Sequence, residues 1–196
     1  MKKSIVAIIA VLLTCFCFVS STYAWLVAKT EPLVNTFTAG NINISIGDHS
    51  ATDYKLVPGL VITREPHVTV FADSEACWLF LKVEEIEDIE NYTFEQFITY
   101  SIDGADNADE NVGWNKLDGV DGVYYRKVEA ADADQEFHIL QDDTLSIKST
   151  VNKAMLDKVT TANQPQLIFT AYAVQQLGID NAADAWEQAK SLDTQP

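Results

Sequence analysis

The chain has 196 residues, 47% of them hydrophobic and 21% charged, which suits one globular domain and excludes a disordered chain. Thirteen basic residues stand against 29 acidic ones, giving a formal net charge of −16. A surface that acidic repels phosphate backbones and anionic lipid, so nucleic-acid binding is not expected.

The chain opens on Met1-Lys2-Lys3, and Ile5 to Val19 follows as an apolar run whose one polar member is Thr14. That run is shorter than the roughly 20 residues a helix needs to cross the hydrocarbon layer. Ser20-Ser21-Thr22-Tyr23-Ala24 is polar and small, with Ala24 at −1 and Thr22 at −3 of a permissible cleavage site before Trp25. Residues 1–24 therefore read as a signal peptide. A retained anchor is the other reading, because no charge lies between Lys3 and Lys29. In both, the lysines stay inside and the body is exported. From residue 25 onward the balance is 11 basic against 29 acidic residues, or −18. Cys15 and Cys17 fall in the apolar run, leaving Cys77 alone in the body. One cysteine cannot close an intrachain disulfide, so a hydrophobic core must hold the domain.

Asn41 to Gly47 alternates polar and apolar, placing Ile42, Ile44 and Ile46 on one face of a strand. Pro58-Gly59 supplies the fixed and the positive φ of a type II turn. Val68 and Val70 alternate with Thr69 and Phe71. Cys77 to Val83 is apolar on both faces at first and then alternates, the pattern of a strand leaving a covered region for solvent. Cys77 shares its face with Leu79, Leu81 and Val83, and reads as a small core hydrophobe. Further strands are expected at Phe97–Ile102, Gly122–Val128, Glu136–Leu140, Thr144–Val151 and Gln166–Gln175. The last is apolar on both faces, which suits a central strand. Two helices are expected: one capped by Asn181 and carrying Ala182, Ala183, Trp186 and Ala189, and a turn or two over Asn152–Lys158. Many short strands and few helices predict a mainly β fold, an antiparallel β-sandwich.

Catalytic signals are few. A zinc peptidase would carry two histidines one helical turn apart with a glutamate between them, whereas His49, His67 and His138 are far apart in sequence. Zn²⁺ is therefore not expected, and no catalytic residue is assigned. Acidic loops offer oxygen ligands: Asp103, Asp106, Asp109 and Glu110 in one, Asp118 and Asp121 in the next. Such density can hold Ca²⁺ weakly, although the spacing is not that of an EF-hand. A solvated acidic hairpin loop is the alternative.

Residues 25–39 carry the most functional information. Trp25, Leu26, Val27, Leu33, Val34 and Phe37 would stand exposed on a cleaved N-terminus. Burying each large apolar side chain gains about 1.5–3 kcal/mol, so such an arm seeks a groove. Ten extended residues reach about 33 Å, enough to add to a neighbour's sheet or to fold back on the same domain. Pro32 removes a ladder donor and would separate donor arm from domain.

Thr22-Tyr23-Ala24-Trp25-Leu26, then Phe37-Thr38-Ala39-Gly40-Asn41-Ile42, resembles the start of proteins of the TasA/camelysin family of Gram-positive bacteria, which SipW-type signal peptidases process. The resemblance continues through Lys55 to Gly59, Ala76 to Val83, Leu167 to Gln175 and Ala182 to Trp186. It implies a jelly-roll-like sandwich over 40–196, a donor arm over 25–39, and secretion to the extracellular matrix or cell surface. It also implies fibres in which one subunit's N-terminal strand completes the next. The partners would be further copies of the chain, the signal peptidase and accessory matrix proteins, with membrane contact only through an uncleaved signal. An exported camelysin-like metallo-endopeptidase and a monomeric adhesin or binding module remain alternatives. The closing Leu192–Pro196 carries no sortase-type motif, so covalent wall attachment is not expected.

Overall fold

In the computed structural model the chain divides into two compact units, Met1–Thr38 and Ala39–Pro196. The structure describes residues 41–49, 55–105 and 112–191, all within the second unit. The signal segment 1–24 and the arm 25–39 lie outside the described residues.

Among the described residues ten strands form three antiparallel sheets. They are β1 (Ile44–Asp48), β2 (Val61–Thr63), β3 (Pro66–Val70), β4 (Cys77–Ile86), β5 (Ile98–Ile102), β6 (Asn115–Lys116), β7 (Val123–Val128), β8 (Gln135–His138), β9 (Leu140–Ile147) and β10 (Gln166–Gln175). The sheet orders are β1-β3-β8, β10-β4-β7-β6 and β2-β9-β5. Among the described residues three short helices accompany them: α1 (Phe94–Phe97), α2 (Lys153–Leu156) and α3 (Ala182–Lys190). The fold is therefore mainly β with few helices, as the short alternating segments predict.

Strand β4 is the centre of the hydrophobic core. Cys77 to Leu81 are all buried, and burial fades towards an exposed Ile86, which is the covered-to-solvent gradient its sequence shows. Cys77, Leu79, Leu81 and Val83 meet Val68 and Val70 of β3, Trp114, and Ile139 and Leu140 between two sheets. The opposite face of β4, Trp78 and Phe80, packs on Tyr172 and Val174 of β10 and on Ala182, Ala185, Trp186 and Ala189 of α3. These four helical positions recur at i, i+3, i+4 and i+7, one stripe of a helix. Ala183 lies in the helix as expected, on its exposed side. A third cluster unites Ile62, Ile89, Phe97, Ile147, Val151 and Met155.

Local chemistry sets the element ends. Asn181 accepts from the Asp184 N–H at 2.9 Å and caps α3, and Asn152 accepts from the Met155 N–H at 3.2 Å and caps α2. Gly59 has φ +78° and the Leu60 N–H donates to the Val57 carbonyl at 3.0 Å, the turn that Pro58-Gly59 predicts. In the β6–β7 hairpin Gly122 has φ +69°, and its carbonyl accepts from the Val83 N–H at 2.7 Å.

Several sequence expectations are corrected. Phe97 ends α1, capped through Thr93 and Gln96, and the strand starts at Ile98. The expected Thr144–Val151 strand runs from Leu140 to Ile147, with Val151 buried in the turn beyond. Ile42 and Ile44 pack against the core, but Ile46 on the same face is 42% exposed near the strand end. Most consequentially, among the described residues β10 pairs on one side only, with β4, and β4 is the strand with neighbours on both sides.

Candidate assembly surface

The expected cleavage residues Thr22, Ala24 and Trp25, and the arm residues Leu26, Val27, Leu33, Val34 and Phe37, lie outside the described residues. The described chain begins at Asn41, whose carbonyl accepts from the Glu75 N–H at 2.9 Å just before β4. Three residues later it enters β1, an edge strand whose five residues pair with β3.

The acidic positions are only partly gathered. Asp103, at the end of β5, accepts the Trp114 N–H through its carbonyl at 2.9 Å and faces the half-buried Arg126. Asp118 and Asp121 belong to the β6–β7 hairpin, where Lys116 Nζ lies 3.9 Å from Asp121. Asp106, Asp109 and Glu110 lie outside the described residues. Among the described residues no group of three or more His, Cys, Asp or Glu side chains is arranged to hold a metal ion. Arg126 is turned inward, its Cζ 3.9 Å from the Phe137 ring centroid and 5.8 Å from that of Trp114. Burial lowers its pKa, with Asp103 acting against that shift.

The three histidines, scattered in sequence, come together on one sheet. His67 of β3 is the register partner of His138 on β8, and the His49 ring lies 4.1 Å from that of His67. Side chains two apart on a strand and opposite each other across a ladder share a face, which puts all three on one side. Each ring is nevertheless turned to a different neighbour. His67 Nδ1 bonds the Glu65 carbonyl at 3.1 Å and its ring lies over Gly47, where a side chain would crowd it. His138 Nδ1 bonds Asp143 at 2.9 Å, and that bond raises its pKa. No sequence spacing shows this convergence, because strand register creates it.

Two buried or half-buried groups are held away from reactivity. Burial pushes the Cys77 thiol up to about 11, so at neutral pH it is a thiol in the core rather than a thiolate nucleophile. Tyr100 is likewise raised, by burial first and then by its 2.8 Å hydrogen bond to Glu85, in a polar cleft of about 480 Å³ that Glu95 and Gln141 also line. It remains a neutral hydrogen-bond donor.

Within the described residues, β10 departs from the central place its sequence suggests. Among the described residues it is hydrogen-bonded on one side only, to β4, with ten register pairs and no bulge. Leu167, Phe169, Ala171 and Ala173 point into the core yet are only partly buried, and Ile168 on the other face is 37% exposed. β1 lies alongside β10. At the Gln166 end a recess of about 750 Å³ opens, lined by Leu56, Ile62, Leu145, Ile147, Val159 and Leu167 among others. The run Gln166–Gln175 contains no charge, proline or glycine, and that pattern was the available signal. An uncharged run reads equally as a buried central strand or as an edge awaiting a partner.

Among the described residues no helix is long and apolar enough to cross a membrane. Comparison of the chain with models of protein families, with curated proteins and with solved structures finds no match.

Proposed function

We propose that this chain is an exported structural subunit of the TasA/camelysin type, a biofilm-matrix or cell-surface fibre protein that assembles through its N-terminal arm. Residues 1–24 are the signal peptide, and SipW-type processing before Trp25 frees the arm 25–39. Before cleavage the arm is tethered at the membrane; afterwards it can enter a neighbour and build an open head-to-tail filament. The observation that carries the reading is the place where the arm joins the body. It leads in sequence into β1, an edge strand among the described residues, so a run rich in apolar side chains precedes a position where strands can be added.

The body fits a jelly-roll-like sandwich. β2 and β3 are nearly continuous in sequence, as are β8 and β9, and each of β2 and β3 pairs with one of β9 and β8. The two three-stranded sheets then read as one layer, β1–β3/β2–β8/β9–β5, opposite β10-β4-β7-β6. Two four-stranded antiparallel layers are the count of a jelly roll.

N-terminal sequencing of the exported protein, followed by negative-stain imaging, tests the reading. The expected result is a chain beginning at Trp25 that forms fibres, and soluble monomers on deletion of residues 25–35. Fibres of the same morphology from the deletion variant would refute it. Because the body carries −18, salt or acid pH should speed assembly by weakening repulsion between subunits.

A further inference from the structure

We infer that the recess between β2, β9, α2 and β10 binds an alkyl carboxylate of the fatty-acid class, its hydrocarbon chain against the apolar walls and its carboxylate at Lys55. Every residue that lines this site is among the described ones, and the site stands apart from the assembly proposed above.

The recess forms where the hydrophobic core stops short. Leu56, Ile62 of β2, Leu145 and Ile147 of β9, Leu156 of α2 and Leu167 of β10 supply its apolar walls. Ile62 and Ile147 are 5% and 3% exposed, whereas the four leucines are only partly buried. Leu167 packs against the cluster around β4, and Leu56 and Leu156 against the cluster that holds Ile62 and Phe97. Leu145 packs against both, so the recess is a seam at which two core clusters meet without closing. Close-packed interiors leave few voids larger than a water molecule. At about 750 Å³ this one is far larger, and it falls within the roughly 300–1,000 Å³ of small-molecule sites, which are concave and mostly apolar.

Charge selects the head group. Acidic residues outnumber basic ones by 29 to 13 in this chain, yet among the described residues none that lines the recess is acidic, while Lys55 and Arg64 both do. Arg64 is engaged by Asp48, which takes its Nε–H at 2.8 Å, so that pair adds little net charge. Lys55 is exposed and directly precedes Leu56, a cation beside an apolar wall. Thr160, Gln164 and Gln166 add neutral hydrogen-bonding groups to the same lining. Apolar walls with an ammonium group beside them match a ligand that is apolar along its length and anionic at one end. A cationic amphiphile would be repelled by Lys55, and a compact anion such as phosphate would leave the leucines uncovered.

Isothermal titration calorimetry of the purified chain with octanoate and decanoate, both below their micelle concentrations, tests this. Each buried CH₂ is worth about fourfold in affinity, so decanoate should bind about fifteenfold more tightly than octanoate. Two variants separate the parts of the site. Lys55→Gln removes the cation at an exposed position, and should weaken decanoate about tenfold while leaving the straight-chain alcohol of the same length unchanged. Leu56→Trp fills the recess from a partly buried position and should abolish binding of acid and alcohol alike, with Tm as the check on folding. Lys55→Gln keeps the test decisive if the tryptophan disturbs the fold. No saturable binding of decanoate overturns the assignment, as it would if protein rather than a small molecule covers these walls. Equal affinities for the two acids, or a Lys55→Gln variant that weakens acid and alcohol equally, overturn it as well. So does decanoate binding that a folded Leu56→Trp variant retains, which would place the ligand elsewhere, as on the apolar run Ile5 to Val19.

Discussion

Two buried tryptophans, Trp114 and Trp186, differ in one hydrogen bond, and that difference sets what each is worth. Trp114 is fully buried and its Nε1–H donates to the His138 carbonyl at 2.7 Å. Trp186 is 4% exposed, with ring centroids 5.3 Å from Phe80 and 5.4 Å from Tyr172, but its Nε1–H is buried without a partner among the described residues. Replacing either by phenylalanine removes similar apolar volume, and that shared loss cancels in the comparison. At Trp114 the substitution also leaves the His138 carbonyl without its donor, at a cost of about 1–3 kcal/mol. At Trp186 it removes an unsatisfied donor, and the native state recovers a desolvation penalty of about the same size. Trp114→Phe should therefore be less stable than Trp186→Phe by about 2 kcal/mol or more. Equilibrium urea unfolding measures both, provided the denaturant dependence is unchanged. Equal losses in the two variants, or a larger loss at Trp186, would refute the hydrogen-bond reasoning.

A methyl group at Gly122 would stand 2.5 Å from the Val83 carbonyl oxygen at φ +69°, whereas one at Gly119, φ +76°, meets nothing within 4 Å. Gly119→Ala should lose about 1–2 kcal/mol for its left-handed backbone, and Gly122→Ala distinctly more, read as a larger fall in Tm. His138 has its folded pKa raised above 6.5, chiefly by the Asp143 hydrogen bond. The stability this pair contributes is therefore fully present below about pH 6.5 and is lost as pH rises through the folded value. His138 is half exposed, so the energy is small, and the sensitive readout is an NMR titration of the imidazole, whose midpoint should fall in Asp143→Asn. Cys77, buried with its pKa near 11, should resist thiol reagents in the native protein and react fully in denaturant. Rapid native labelling would contradict its place in the core.

Residue order alone determined what depends on neighbours along the chain. The fading burial along β4 from Cys77, the Pro58-Gly59 turn and the asparagine cap at 181 are local patterns, and each appears where expected, whereas β3 is buried at every position despite its alternating sequence. The tertiary structure alone decided the strand order and the gathering of side chains across it. An uncharged strand is compatible with a centre or an edge, and only pairing sets Gln166–Gln175 beside β4, on one side alone among the described residues. His67 and His138 are 71 residues apart yet directly opposed, because register is fixed by long-range pairing that burial of Val68 and Val70 enforces. The acidic exported chain and its neutral arm are legible from composition.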